Sequence, residues 1–171
     1  MNGIHGLQKS YLMALAGNGS TLACIDWAIA QIGTNAEPKD QDVLSLAATN
    51  DKNEAIKVTE RILTNYLGGG DPTVGAGKHL VLLHQMYREG QLSVVTLADV
   101  ITTLYSQLGS PAWLAMLSRN CEYATDIPDF LPPFHAEFDY ITGLWSQADS
   151  SMGFLKIYDR NTSNSHNGLH A

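Results

Sequence analysis

The stretch "SVVTLADVITTLYSQLGSPAWLAMLSRNCEYAT", residues 93–125, contains one helix, a stop and an immediate restart. Apolar residues recur at close to the 3.6-residue helical period on both sides of Gly109. Glycine often ends a helix because it adopts the left-handed conformation without strain, and Ser110 followed by Pro111 is typical of a new N-terminus. The stretch therefore predicts two consecutive helices joined by a very short turn.

Similar signals for helix starts and helix ends recur along the rest of the chain. Ser20 and Gly33 bound one apolar segment, and Asp51 with Glu54 has the spacing of a capping box at the start of another. In the first of these segments one apolar stripe contains Leu22, Ile25, Ala28, Ile29 and Ile32. No run alternates between apolar and polar residues as a half-buried strand does. We therefore expect an all-α fold.

We predict one domain over residues 1–160, a single compact bundle of about eight helices. The prolines of "DIPDFLPP", residues 126–133, should break the chain before the last long helix, since the residue before proline disfavours the helical conformation. Residues 150–171, "SSMGFLKIYDRNTSNSHNGLHA", predict no more than a short turn or strand. Their polar end, residues 161–171, is expected to be a flexible C-terminal tail.

Composition excludes several classes of function. The formal net charge of −7 argues against nucleic acid as a partner, because its phosphates require a basic surface. No run approaches the 18 apolar residues of a membrane span, and the first 20 residues lack the features of a signal peptide. The chain is therefore expected in the cytoplasm, with no membrane partner. There Cys24 and Cys121 are expected to be free and buried.

A glycine-rich stretch, "LGGGDPTVGAGKHL" at residues 67–80, resembles a phosphate-binding loop but fails its pattern. Counting back from Gly77 and Lys78, the position that needs glycine holds Pro72, and His79 stands where a hydroxyl residue should bind magnesium. A helix precedes the stretch where a strand is required. A helix end, a linker and a new helix start at Asp71 explain the same residues.

Other catalytic patterns are equally incomplete. His79 and His84 are five residues apart, whereas metal pairs on a helix prefer three or four. His135 and Glu137 supply half of the zinc deaminase signature, but the cysteine pair of the other half is missing. No residue near Cys121 suggests an activated nucleophile. The sequence therefore predicts no catalytic residue, no metal, no cofactor and no enzyme.

An acidic and aromatic window, residues 120–155, stands out from the rest of the chain. It contains six acidic residues, no lysine or arginine, and seven of the fourteen aromatic residues. One interpretation is a core of aromatics with a solvated acidic face. The other is a recognition surface for a basic protein, in which aromatic anchors supply contact and carboxylates steer association. The predicted partner-binding residues are Glu122, Asp126, Asp129, Phe130, Phe134, Glu137 and Asp139.

A small, acidic, helical chain without a catalytic constellation, bearing such a window, resembles bacterial immunity proteins. These are encoded beside the toxins of contact-dependent growth inhibition and related polymorphic toxin systems. The resemblance rests on general character and on no motif, so no family residue is carried onto this chain. It implies a non-enzymatic protein that binds and neutralises a cognate basic toxin domain, often a nuclease. A helical adaptor or regulatory subunit, and an enzyme with an unrecognised helical site, remain as alternatives.

Overall fold

The structure, a computed structural model, describes residues 3–34 and 40–167, with side chains described as far as residue 160. Within these ranges all regular structure is helical and no strand is present, which confirms the all-α prediction. The helices are α1 Ile4–Leu15, α2 Leu22–Thr34, α3 Gln41–Ala48, α4 Lys52–Gly68, α5 Pro72–Arg88, α6 Val94–Gln107, α7 Ala112–Asp126, α8 Leu131–Gln147 and α9 Ser151–Asn167. A short 3₁₀ turn, Pro128–Phe130, separates α7 from α8.

Internal contacts divide the chain into two compact units, Met1–Gly75 and Ala76–Ala171. In the first unit α2 packs on α3, α3 on α4, and α1 on both α2 and α4. The side chains completely buried there include Leu7, Leu46, Ala55, Val58, Ile62 and Leu63. The prediction of a single domain over residues 1–160 stays a prediction, because the two units are described separately.

In the second unit α7 lies between α6 and α8, and α9 packs on α8. Its core combines aliphatic side chains of α5, α6 and α7 with aromatic side chains of α8 and α9. The completely buried members include Leu80, Leu83, Leu97, Ile101, Leu114, Leu117, Phe134, Trp145 and Phe154. This unit contains the whole acidic and aromatic window.

The glycine-rich stretch is a helix end followed by a helix start, as the sequence predicts. Helix α4 ends at Gly68, and Gly69 and Gly70 take left-handed backbone conformations with φ of 60° and 87°. Helix α5 then begins at Pro72, and one carboxylate oxygen of Asp71 accepts hydrogen bonds from the N–H groups of Thr73 and Val74. Because that carboxylate uses these two donors, it occupies the place an anion would take at this helix start.

Ser110 does not cap α7, contrary to the sequence expectation. Its backbone is left-handed, with φ of 60°, and its N–H donates to the carbonyl oxygen of Tyr105, so the residue finishes α6. The N-cap position of α7 is Pro111, whose side chain makes no capping hydrogen bond. The turn is therefore as short as predicted, but both of its left-handed residues, Gly109 and Ser110, belong to the end of the first helix.

The C-terminal part of the chain is more helical than predicted. Helix α8 begins at Leu131, so Pro132 and Pro133 lie in its first turn, where proline removes no intrahelical hydrogen bond. The expectation of a short turn or strand after residue 150 is wrong, because α9 extends over Ser151–Asn167. Of the predicted flexible tail, residues 161–167 belong to α9 and residues 168–171 lie outside the described residues.

Helix α2 differs from its predicted orientation. The sequence places Leu22 and Ile29 on an apolar stripe with Ala28, yet only Ala28 of these three is buried. The buried residues of the helix are Cys24, Ala28 and Gln31. Leu22 and Ile29 keep 63% and 53% of their surface exposed. A large part of the apolar surface of α2 therefore faces solvent.

Candidate functional site

Helices α6 and α7 form an antiparallel hairpin that positions two of the predicted acidic residues. The tight turn at Gly109 and Ser110 reverses the chain, and the thiol of Cys121 on α7 lies 3.8 Å from the carbonyl oxygen of Val94 at the start of α6. Burial of Leu97 and Ile101 on α6, and of Leu114 and Leu117 on α7, holds the pair together on its core side. The C-terminal half of α7 therefore lies beside the N-terminal half of α6.

On the solvent side the two helices enclose an open groove of about 520 Å³. Three carboxylates line it: Asp99 from α6, and Glu122 with Asp126 from α7. The remaining lining residues are Val95, Ala98, Thr102, Thr103 and Thr125. Glu122 and Asp126 are predicted site residues that the structure brings together, and all three carboxylates belong to exposed residues.

Sequence reasoning missed the contribution of α6. Asp99, Thr102 and Thr103 follow the i, i+3, i+4 spacing of one helix face, and in isolation this looks like an ordinary solvated surface. The signal that could have found them is the very short turn at Gly109, because it forces α6 and α7 to lie antiparallel. A polar face on α6 then has to border the acidic face of α7.

Hydrogen-bond acceptors dominate the polar part of the groove. The hydroxyl of Thr103 donates to the backbone oxygen of Asp99, and the hydroxyl of Thr125 donates to the backbone oxygen of Glu122. Both hydroxyl hydrogens are thereby used within their own helices, and the hydroxyl oxygens keep lone pairs. Together with three carboxylates, they present a groove that a hydrogen-bond donor complements.

The carboxylates of the groove form no ion pair within the described part of the chain. Elsewhere Arg61 pairs with Asp42, and His84 hydrogen-bonds to Asp139. Arg119 lies one turn before Glu122, but its Nη2 contacts the sulfur of Met116 at 2.9 Å. No lysine or arginine lines the groove. Its negative charge is therefore left for solvent, or a partner, to neutralise.

The other predicted acidic residues lie elsewhere. Asp129 is exposed in the 3₁₀ turn. Glu137 and Asp139 are two positions apart on α8, which turns their side chains about 200° apart around the helix. Burial raises the pKa of the Glu137 carboxyl, and burial followed by the charge of Glu137 raises the pKa of Tyr158 on α9. Asp139 instead points to α5, so these two residues do not share one surface.

Asp139 already has a partner within the unit. Its Oδ1 lies 2.6 Å from Nε2 of His84 on α5, and the side chains of His84 and Asp139 are 25% and 55% exposed. A second polar pair one turn along joins the hydroxyl of Tyr87 to Nε2 of His135 at 2.8 Å. These two pairs connect α5 and α8 side by side.

The aromatic residues divide into buried and surface groups. Phe134 is completely buried between Phe138 and Tyr87, with ring centroids 5.5 and 5.7 Å away. It therefore offers no exposed surface to a partner and belongs to the core of the second unit. Phe130 is half-buried and meets the exposed Tyr123 edge to face at 4.9 Å. These last two rings supply aromatic surface near the 3₁₀ turn.

Groups with other chemistry are occupied in packing. Burial lowers the pKa of His79 to about 4 and raises the pKa of Cys121 to about 12, so at neutral pH the first is uncharged and the second is a thiol. Cys24 is likewise free and buried, and burial raises its pKa. Among the residues that the structure describes, no group of three or more His, Cys, Asp or Glu side chains is arranged to hold a metal ion.

A comparison of the chain with protein-family models finds no match. Comparisons with curated proteins and with solved structures also find no match. Within the described ranges, no helix combines the length and apolar character that crossing a membrane requires. A function therefore has to be inferred from the residues of the chain itself.

Proposed function

We propose that the protein is a non-enzymatic binding protein that neutralises a basic partner, an immunity protein for a nuclease-type toxin domain. The observation that carries the proposal is the α6–α7 groove, in which Asp99, Glu122 and Asp126 converge and form no ion pair with any residue that the structure describes. Toxin domains that cleave nucleic acid need basic surfaces to bind phosphate. In this role the groove carboxylates take the place of phosphates, and the protein acts in the cytoplasm.

Donor and acceptor chemistry supports a cationic protein as the ligand. Lysine and arginine carry only donors, and the groove offers carboxylate and hydroxyl oxygens. Charge-assisted hydrogen bonds of this kind are roughly twice as strong as neutral ones, and arginine engages carboxylates with two parallel bonds. An arginine-rich face of a partner would therefore satisfy several groove acceptors at once.

Apolar surface near the groove supports a protein as the ligand. Val95 lines the groove and is 54% exposed, and Tyr123 and Ile127 on either side of Asp126 are 43% and 44% exposed. Protein interfaces combine such apolar contacts with charged groups that steer the encounter. The proposed surface therefore contains Glu122, Asp126 and Phe130 from the predicted set and adds Asp99.

The test is a titration against the protein encoded by the neighbouring gene. Reversing two groove charges, Asp99→Lys with Glu122→Lys, should slow association about tenfold or more at low salt. The matched control is Glu89→Lys with Asp149→Lys, which makes the same change in net charge at two exposed positions outside the groove. Wild-type association should also slow as salt rises, because salt screens these charges.

The two variants separate the groove from the net charge of the protein. Equal slowing by both variants would mean that net charge alone steers the encounter. Salt-independent association, or unchanged binding by the groove variant, would place the interface elsewhere. An assay of the partner's nuclease activity then distinguishes the two roles: a neutralising protein abolishes that activity, whereas an adaptor leaves it intact.

A further inference from the structure

Helix α2 has an unusual composition for a helix that is half exposed. Its 13 residues, "LACIDWAIAQIGT", contain no lysine, arginine or glutamate, and Asp26 carries the one side chain charged at neutral pH. A helix that is apolar nearly all round is normally covered on all sides. In the first unit, however, α1, α3 and α4 cover the side of α2 that contains Cys24, Ala28 and Gln31.

The uncovered side carries a regular row of large apolar residues. Leu22 and Ile29 are 63% and 53% exposed, and Ile25 and Ile32 between and after them are partly exposed. The successive spacings of 3, 4 and 3 residues are those of the seam along which two helices pack. The exposed small residues beside this row, which would let another backbone approach closely, are Ala23, Ala30 and Gly33.

Asp26 lies on the same exposed side, one turn after Leu22 and just under one turn before Ile29. It forms no ion pair with any residue that the structure describes. A complementary surface therefore needs apolar side chains at helical spacing with one cation opposite Asp26. We propose that the exposed face of α2 binds an amphipathic helix of another protein, one that carries a lysine or arginine among its apolar residues.

A second copy of this chain fits that face poorly. Two α2 helices crossing antiparallel about a twofold axis near residue 27 would bring Asp26 against Asp26 of the other copy, and two chains of net charge −7 repel. A basic helix meets no such repulsion, because it places a cation opposite Asp26.

This face shares no residue with the α6–α7 groove, because α2 belongs to the first unit and the groove to the second. The proposal therefore does not depend on the function proposed for the groove. If both are right, the chain has two binding surfaces of different character. The groove favours a positively charged partner. The α2 face favours an apolar helix, and its one carboxylate favours a helix that carries a positive charge.

The test uses the full chain and two synthetic stapled helical peptides. Both carry leucine at the seam positions and differ at one central position, lysine in the first and glutamate in the second. The lysine peptide should bind about tenfold tighter than the glutamate peptide. Leu22→Lys with Ile29→Lys should weaken its binding at least tenfold, since these side chains form the centre of the contact.

Two control variants exclude non-specific binding. Met152→Lys with Leu155→Lys makes a similar change on α9, at side chains that are 67% and 41% exposed, and should leave peptide affinity unchanged. Neutralising the groove by Asp99→Asn with Glu122→Gln should also leave it unchanged. If the groove variant weakens binding and the α2 variant does not, the basic peptide occupies the groove and the proposal is overturned.

A single substitution, Asp26→Lys, keeps the test decisive if the double variant of α2 fails to fold. It should invert the preference, so that the glutamate peptide becomes the tighter ligand. Equal wild-type affinity for both peptides, or a preference that Asp26→Lys does not change, would overturn the proposal. Sedimentation that finds a dimer disrupted by the Leu22 and Ile29 substitutions would instead assign the face to a second copy.

Discussion

Two helix pairs of the second unit use carboxylates in opposite ways. In the α6–α7 hairpin, Asp99, Glu122 and Asp126 surround an open groove and have no ion-pair partner within the described residues. In the α5–α8 pair, Asp139 bonds to His84, and the neighbouring Tyr87 and His135 bond to each other. One pair therefore leaves its carboxylates without an ion-pair partner among the described residues, and the other holds its carboxylate in a hydrogen bond within the unit.

The difference comes from the helix that each acidic residue meets. Helix α6 presents an aspartate and threonines to α7, whereas α5 presents a histidine and a tyrosine to α8. A carboxylate that is equally prominent in the sequence thus has no ion-pair partner among the described residues in one place and bonds to a neighbouring helix in the other. The largest expected effects test how closely the α5–α8 pair is packed, and the smaller ones test how the two pairs use their carboxylates.

The close contact of α5 with α8 should tolerate no extra atom at Gly77. A Cβ added there would overlap the indole ring of Trp145, which is completely buried and stacked on Phe154 at 4.0 Å. Gly77→Ala should therefore cost about 3 kcal/mol of the free energy of unfolding, at the upper end for overpacking, despite the higher helix propensity of alanine. Urea unfolding of the variant measures this loss.

Gly143 provides the matched control for that substitution. It lies in the same α5–α8 pair, on α8, but an added Cβ there would meet no atom within 4 Å. Gly143→Ala should therefore stabilise the protein by about 0.5–1 kcal/mol. Equal effects of the two substitutions would show that α5 and α8 do not pack as closely as the structure describes.

Buried His79 on α5 should make the protein lose stability in acid. Burial lowers its pKa from 6.5 to about 4. Between these two pH values the unfolded chain therefore binds a proton at His79 that the folded chain does not bind. Its contribution is complete above pH 6.5 and falls by up to about 3 kcal/mol as the pH drops to 4. Urea unfolding between pH 7 and pH 4.5 measures the slope.

Replacing His79 by glutamine should flatten this pH dependence, because glutamine does not titrate. His5 is exposed on α1 and provides the control, since His5→Gln should leave the slope unchanged. An identical slope in wild type and His79→Gln would mean that other groups govern stability in acid.

Local rules predicted most of the fold. The 3.6-residue period and the residues Asp51, Gly68, Asp71 and Gly109 place the helices and their ends close to where the structure has them. The errors arose where distant contacts overrule local sequence. Residues after 150 look polar, yet Phe154 stacks on Trp145 and anchors α9. Neighbouring helices likewise decide which side of α2 is buried.

Local rules anticipated the candidate groove only in part. The window contains Glu122 and Asp126, which line that groove, but its other members depend on residues far along the chain. Asp139 bonds to His84, which is 55 positions away on α5. Phe134 on α8 is buried against Tyr87, which also belongs to α5. A count of charges in a segment cannot detect such partners. Asp99 is the opposite case, because its place on the groove becomes visible only when α7 lies beside α6.

Removing one negative charge from each pair should affect partner association unequally. Asp126→Asn should weaken binding of the basic partner several-fold at low salt, since a groove carboxylate is lost. Asp139→Asn should change it less than twofold, because His84 already satisfies that carboxylate. Surface plasmon resonance at two salt concentrations measures both. A larger effect from Asp139→Asn than from Asp126→Asn would show that the interface lies on α8.

The smallest expected effect is the most specific, because the same chemical change should have opposite signs in the two pairs. Asp126 is the last residue of α7 and lies four residues after Glu122. It therefore suffers repulsion from a like charge and from the negative end of the helix dipole, and each contributes a few tenths of a kcal/mol. Asp126→Asn should raise the free energy of unfolding by about 0.5 kcal/mol at low salt. Asp139→Asn should instead lower it by about 0.5 kcal/mol, because the hydrogen bond with His84 loses its charged acceptor. The change at Asp126 should shrink at high salt, and a loss of stability from Asp126→Asn would mean that its charge is already neutralised within the chain.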